Sequence, residues 1–185
     1  MQILILEDDL DRREAMQSRL ADRFPCYKVE FFNAVMPMIA RLEATTLQNV
    51  IAISLDHDLE MLPDSDGAWV DPGTGVEFAK WLAQQMPSCP VLIHTTNSQG
   101  GGKMAALLTE ANWKTMRVVP YEGNTWIDEQ WFPTLRKVIV ESAAYLGELK
   151  AGESSQKRKA AGREFPRLNV ELPSALDVPR RPELT

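Results

Sequence analysis

The stretch SLDHDLE, Ser54 to Glu60, sets a histidine between two aspartates directly after the apolar run NVIAI. Glu7, Asp8 and Asp9 stand in the same relation to the apolar run QILIL, and His94, Thr95 and Asn97 to PVLI. Carboxylate oxygens gathered in one place suit a hard divalent cation such as Mg2+ or Mn2+, which keeps part of its coordination sphere for water and phosphate oxygens. Imidazole adds general acid and base chemistry, or a softer metal. The chain has only two histidines, His57 and His94, and both fall at strand ends.

These residues can act together only if the elements before them are neighbours. Short apolar runs at 2–6, 27–32, 50–55, 90–95 and 115–119 read as strands, most of them buried on both faces. Between and after them, helical periodicity is expected over 10–24, 34–45, 74–86, 101–112 and 127–149. Leu10, Met16, Leu20 and Phe24 mark the apolar side of the first helix, Val76, Phe78, Leu82 and Met86 that of the third, and Asn33 is the expected cap of the second. A long polar loop runs from Asp56 to Gly73, and Pro133 falls in the first turns of the last helix. Strict alternation of strands and helices implies an α/β, three-layer, doubly wound sheet of five parallel strands, because each parallel crossover needs a helix-length connection. Ligands of such sheets sit beyond the carboxyl ends of the strands, where the strand order reverses.

Each residue also has a plainer reading. Asp9 suits a helix cap as well as a metal, Asp58 a loop, and His94 a hydrogen-bonded core position. An ungapped strand puts Thr95 on one side of the sheet and His94 on the other. The glycines of NSQGGGK, 97–103, read as a turn before a helix or as an anion cradle. The spacing is not that of a Walker loop, since Met104 follows Lys103.

Residues 1–150 carry 13 Lys+Arg against 21 Asp+Glu, which argues against binding duplex DNA. Residues 150–185 hold four of the twelve prolines and a basic run at 157–159, and are expected to form a flexible or surface-docked tail behind a domain over 1–149. Cys26 and Cys89, without metal or disulfide spacing, read as buried thiols in a reducing compartment. No apolar run approaches a membrane span, and acid arrives before any signal-peptide core forms, so a cytoplasmic protein is expected.

ILILEDD, VIAISLDHDL, GTGVEFAKWL, PVLIHTT and RVVPY together resemble a response-regulator receiver domain over about residues 2–148. The resemblance implies the flavodoxin-like strand order 2-1-3-4-5. It puts Glu7 and Asp8 on the metal-binding acidic pair, Asp56 on the phosphoacceptor, Thr95 on the hydroxyl position and Val119 where receivers carry a lysine. Arg117 is the candidate to supply the positive charge so lost. LDHDL, IHTTN and WKTMRVVP are similar to a divergent branch, the cyclic-phosphate processing receivers. That resemblance implies a divalent metal on Glu7, Asp8 and Asp56, with His57, His94 and Asp58 catalytic. Thr95, Asn97, Lys103 and Arg117 would then meet the phosphate. Three functions stay open on these grounds: opening of a cyclic phosphodiester, a stand-alone receiver phosphorylated on Asp56 that signals to a protein partner, and a degenerate receiver that binds a nucleotide or a protein without chemistry.

Overall fold

The computed structural model describes residues 1–141. The last helix is described only as far as 141, so its expected extension to 149 and the expected tail over 150–185 lie outside the described residues. The elements follow as β1 Gln2–Leu6, α1 Leu10–Arg23, β2 Lys28–Phe32, α2 Val35–Thr45, β3 Val50–Leu55, β4 Leu62–Pro63, β5 Trp69–Val70, α3 Gly75–Leu82, β6 Val91–His94, α4 Ser98–Glu110 and β7 Thr115–Val118. A last helix, α5, runs from 125 to 141.

The sheet has the order β2-β1-β3-β6-β7, all parallel, which is the expected order once the short β4–β5 hairpin is set aside. From β1 the chain goes out to β2, then crosses back to β3 on the other side. The two strands flanking that reversal end level, Leu6 opposite Leu55, and the amide of Asp56 extends the ladder by donating to the Leu6 carbonyl at 2.9 Å. Glu7 and Asp56 are therefore side by side at the switch point.

Period-two alternation divides the buried side chains between two cores. Leu4, Leu6, Ile53, Leu55, Val91 and Ile93 pack under α2, α3 and α4 with Phe78 and Met104. Ile3, Ile5, Ala52 and Leu92 pack on the opposite face with Met16, Leu20, Trp126 and Trp131 of α1 and α5. Burying one side chain of this size contributes about 1.5–3 kcal/mol, so both layers hold the sheet firmly. Among the described residues no helix is long and apolar enough to cross a membrane.

Several local expectations are corrected. Leu10 and Met86 are exposed, and α3 ends at Leu82. Asn33 does not cap α2; Ala34 stands at the cap without a side-chain bond, and the amide of Val35 donates to the Pro72 carbonyl at 2.8 Å. The loop following Asp56 thus closes the helix end, a long-range contact that no local pattern reveals. The same loop is not wholly irregular, since Leu62–Pro63 pairs antiparallel with Trp69–Val70. Cys26 is exposed, not buried, while Cys89 is partly buried against the α2–α4 core. In α5 a π-helical turn spans Ile127–Trp131, closed by the Phe132 amide on the Ile127 carbonyl. Pro133 follows at once, and with no N–H it cannot make the next ordinary helical bond.

Gly75 opens α3 against the site: a Cβ there would lie 2.2 Å from the Asp56 carbonyl oxygen and 2.7 Å from Met104 Sδ. Its amide donates to the His57 carbonyl at 3.0 Å, while Thr74 and Glu77 form a reciprocal capping box. Gly75→Ala is expected to destabilise the protein by about 2 kcal/mol through overpacking, measured by urea denaturation; an unchanged midpoint would mean the close approach is not a constraint.

Candidate functional site

Alternation carries Glu7 just past β1, Ser54 on β3 with Asp56 just past it, and His94 on β6 to the face covered by α1 and α5. Glu7, Ser54 and His94 are completely buried and Asp56 is 4% exposed. Thr95 takes the other face, beside α4, as the ungapped strand requires.

Three of these groups, with Trp131 of α5, form one hydrogen-bonded chain. The indole Nε1 of Trp131 lies 2.9 Å from Ser54 Oγ, which lies 2.8 Å from His94 Nδ1, and His94 Nε2 lies 3.2 Å from Glu7 Oε2. An indole N–H can only donate, so Ser54 Oγ accepts from it and can turn its own proton toward Nδ1. Nε2–H then donates to the carboxylate, and every donor in the chain is used. The π turn delivers Trp131, and Trp126 stacks on the His94 ring with centroids 6.0 Å apart. Glu7, Asp56 and His94 come within 4.8 Å of one another. Both imidazole nitrogens are already engaged, however, which leaves the carboxylates as the groups suited to a cation.

Their charge is offset by Arg12, which motif reading did not single out. Its guanidinium reaches Glu7 Oε1 and Asp56 Oδ2, each at 3.2 Å, and its Nε lies 3.6 Å from Asp9 Oδ2. A signal existed: a basic residue in the first turn of a helix opposes the macrodipole and calls for a separate cause. Asp9 serves as the cap of α1, accepting from the Arg12 amide at 2.9 Å. Asp8 accepts from the Glu60 amide through Oδ2 at 2.6 Å, and among the described residues its buried Oδ1 has no partner.

The two inner carboxylates respond oppositely to this setting. Burial pushes Glu7 up, but the His94 hydrogen bond, the Arg12 charge and the Asp9 amide outweigh it and hold the carboxyl below its usual 4.5. Burial pushes Asp56 above its usual 3.8 and the neighbouring Glu7 adds to this, with the 2.6 Å bond from the His57 amide and the Arg12 charge offsetting only part.

A second group of residues lies on the α3–α4 side. The ring of His57 packs against Gly100, where a Cβ would fall 2.0 Å from its Cδ2. Its Nε2 is 3.7 Å from Asp58 Oδ1, and its buried Nδ1 has no partner among the described residues. Asn97 donates to Asp58 Oδ1 at 3.2 Å through its side chain and to Thr95 Oγ1 at 3.2 Å through its amide. It also caps α4 by accepting from the Gly100 amide at 2.8 Å. The helix begins at Ser98, so the glycines form its first turns and do not precede it, correcting the expected start at 101. They admit the His57 ring and the Arg117 guanidinium, whose Nη2 would be 2.7 Å from a Cβ at Gly101. Arg117 pairs with neither site carboxylate, so the charge beside Asp56 comes from Arg12 and not from Arg117. Lys103 is exposed on α4 and forms no ion pair among the described residues. Val119 is 54% exposed and brings no charge to the site.

The opposite shifts fix two opposite pH dependences. Glu7, lowered, contributes stability that is complete above its usual 4.5 and is lost as pH falls through its folded value. Asp56, raised, is better tolerated protonated, so its carboxylate reduces stability as pH rises above 3.8 and through its folded value. In denaturation curves taken from about pH 3 to about pH 7, Glu7→Gln should lose less stability on acidification than wild type. Asp56→Asn should gain on wild type as pH rises; curves parallel to wild type for both would contradict the assignment.

The comparisons with known proteins bear on this arrangement. Solved structures of similar fold include the chemotaxis protein CheY4 of Vibrio cholerae, at 19% identity and TM-score 0.50, covering 74% of this chain and 97% of that one. A DNA-binding response regulator of the LuxR family from Staphylococcus aureus is 17% identical at TM-score 0.51, with 75% and 98% covered. The signal receiver domain of a LuxO repressor protein from Vibrio parahaemolyticus is 15% identical at TM-score 0.50, with 77% and 95% covered. A search of curated proteins finds no match. The profile of the cyclic-phosphate processing receiver domain matches residues 3–110, a span that takes in both carboxylates at the switch point, Arg12, both histidines and the α4 cap. With its receiver fold and more than half its length matched, the chain belongs to the cyclic-phosphate processing receiver domain family.

Proposed function

We propose that this chain binds the phosphate of a cyclic phosphodiester at the carboxyl edge of β1, β3 and β6 and opens the ring by hydrolysis. The observation that carries the reading is His57, the residue next to Asp56, whose ring packs against Gly100 with its buried Nδ1 unpartnered among the described residues. Phosphorylation of an aspartate by a partner calls for no such group, whereas proton transfer does.

The donor set fits a hard divalent cation. Glu7 and Asp56 bring carboxylate oxygens within 4.8 Å of each other, and Asp8, next to Glu7 in the chain, would add a third, its buried Oδ1 having no partner among the described residues. Mg2+ or Mn2+ held there would supply Lewis-acid polarisation of the phosphoryl oxygens. His57 accepts the proton of the attacking water and returns one to the departing ester oxygen; one P–O bond forms, one ring P–O bond breaks, and a phosphate monoester with a free hydroxyl results. Asp58, fixed by Asn97, steadies the imidazole. The Thr95 hydroxyl, Asn97, Arg117 and Lys103 are the groups for the phosphate charge. His94 has both nitrogens engaged, so its part is to position Glu7, not to transfer the substrate's protons.

The position of Asp56 favours a second reading, a receiver phosphorylated by a partner, and one assay separates the two. Purified protein with 2',3'-cyclic phosphates and cyclic nucleotides should form monoester product in Mg2+ or Mn2+ and none in excess EDTA. His57→Ala should reduce turnover about 10²–10⁴-fold with the fold intact. His94→Ala should lower stability by about 3 kcal/mol as well as activity, because Ser54, Trp131 and Glu7 lose their partner in a dry layer. If no substrate opens and acetyl phosphate labels Asp56, the second reading stands and the first falls.

A further inference from the structure

Arg12 occupies the space between the two carboxylates that would hold a cation, and it is the only cation that pairs with them among the described residues. We propose that Arg12 is a resident counter-ion of the site that competes with the divalent metal, so that metal binding is an exchange in which the guanidinium leaves Glu7 and Asp56. This deepens the reading above and rests on its divalent site.

Three observations support it. The guanidinium meets the facing oxygens Glu7 Oε1 and Asp56 Oδ2 at equal distances of 3.2 Å, where a cation bridging the same pair would be repelled by it. Arg12 lies in the first turn of α1, an electrostatically poor place for a base, so its own helix does not account for it. Its side chain remains 23% exposed, so it has a route outward that the fully buried Glu7 has not. Once released, the guanidinium stands at the mouth of the site, where a planar donor group fits a phosphate. That exchange would supply from α1 the positive charge that Val119 does not bring.

The test is cation binding by the full chain, read by calorimetric titration with Mg2+ and Mn2+ and by melting temperature with EDTA or saturating cation. Arg12→Gln, which keeps the length and hydrogen bonding without the charge, should bind either cation about tenfold or more tightly than wild type. It should melt lower than wild type in EDTA and recover in saturating Mg2+. Arg12→Lys, which keeps the charge, should stay within about threefold of wild type. Equal or weaker binding by Arg12→Gln would overturn the exchange while leaving the metal site intact. No cation binding by any form would overturn the metal site and the exchange with it. An Arg12→Gln protein that stays unfolded in saturating Mg2+ would also overturn it, since the metal would then be no substitute for the guanidinium.

Discussion

Everything at the carboxyl edge of this sheet depends on how two buried carboxylates are tolerated side by side. Glu7 and Asp56 are neighbours because β1 and β3 are parallel, adjacent and level at their ends, a consequence of the strand order and not of either sequence segment. Removing the partner of a buried charge costs about 3–5 kcal/mol, set against a total stability of about 5–15 kcal/mol, so the counter-charge carries a large share of what keeps the site folded. Arg12 supplies it from α1, reaching both acids while Asp9 caps the same helix. The tilt of that helix over the sheet is thereby tied to the electrostatics of the site.

Saturation marks the polar groups that hold the structure. The run from Trp131 through Ser54 and His94 to Glu7 uses each of its donors, lies in the apolar layer under α5, and behaves as an internal strut. Among the described residues His57 Nδ1 and Asp8 Oδ1 are buried and unpartnered, a condition that costs about 1–3 kcal/mol for each group.

Backbone features determine where those groups point. Gly75 and Gly100 let two helix starts close on His57, and the π turn before Pro133 turns Trp131 into the layer where Ser54 waits. The loop after Asp56, ahead of the β4–β5 hairpin, is joined to Asp8 through the amide of Glu60.

The strands, their order and the gathering of Glu7, Asp56, His57 and His94 at one edge were legible in the sequence, because buried parallel strands leave continuous apolar runs and the crossover rules leave few topologies. The family was legible for the same reason, since its motifs sit at strand ends. What the tertiary structure decided was the division of labour: that Arg12 and not Arg117 faces Asp56, that His94 is saturated while His57 is not, and that Asp9 caps a helix. Those distinctions rest on which side chains meet across strands and helices tens of residues apart, and local pattern reports the face a residue takes but not the partner it finds there.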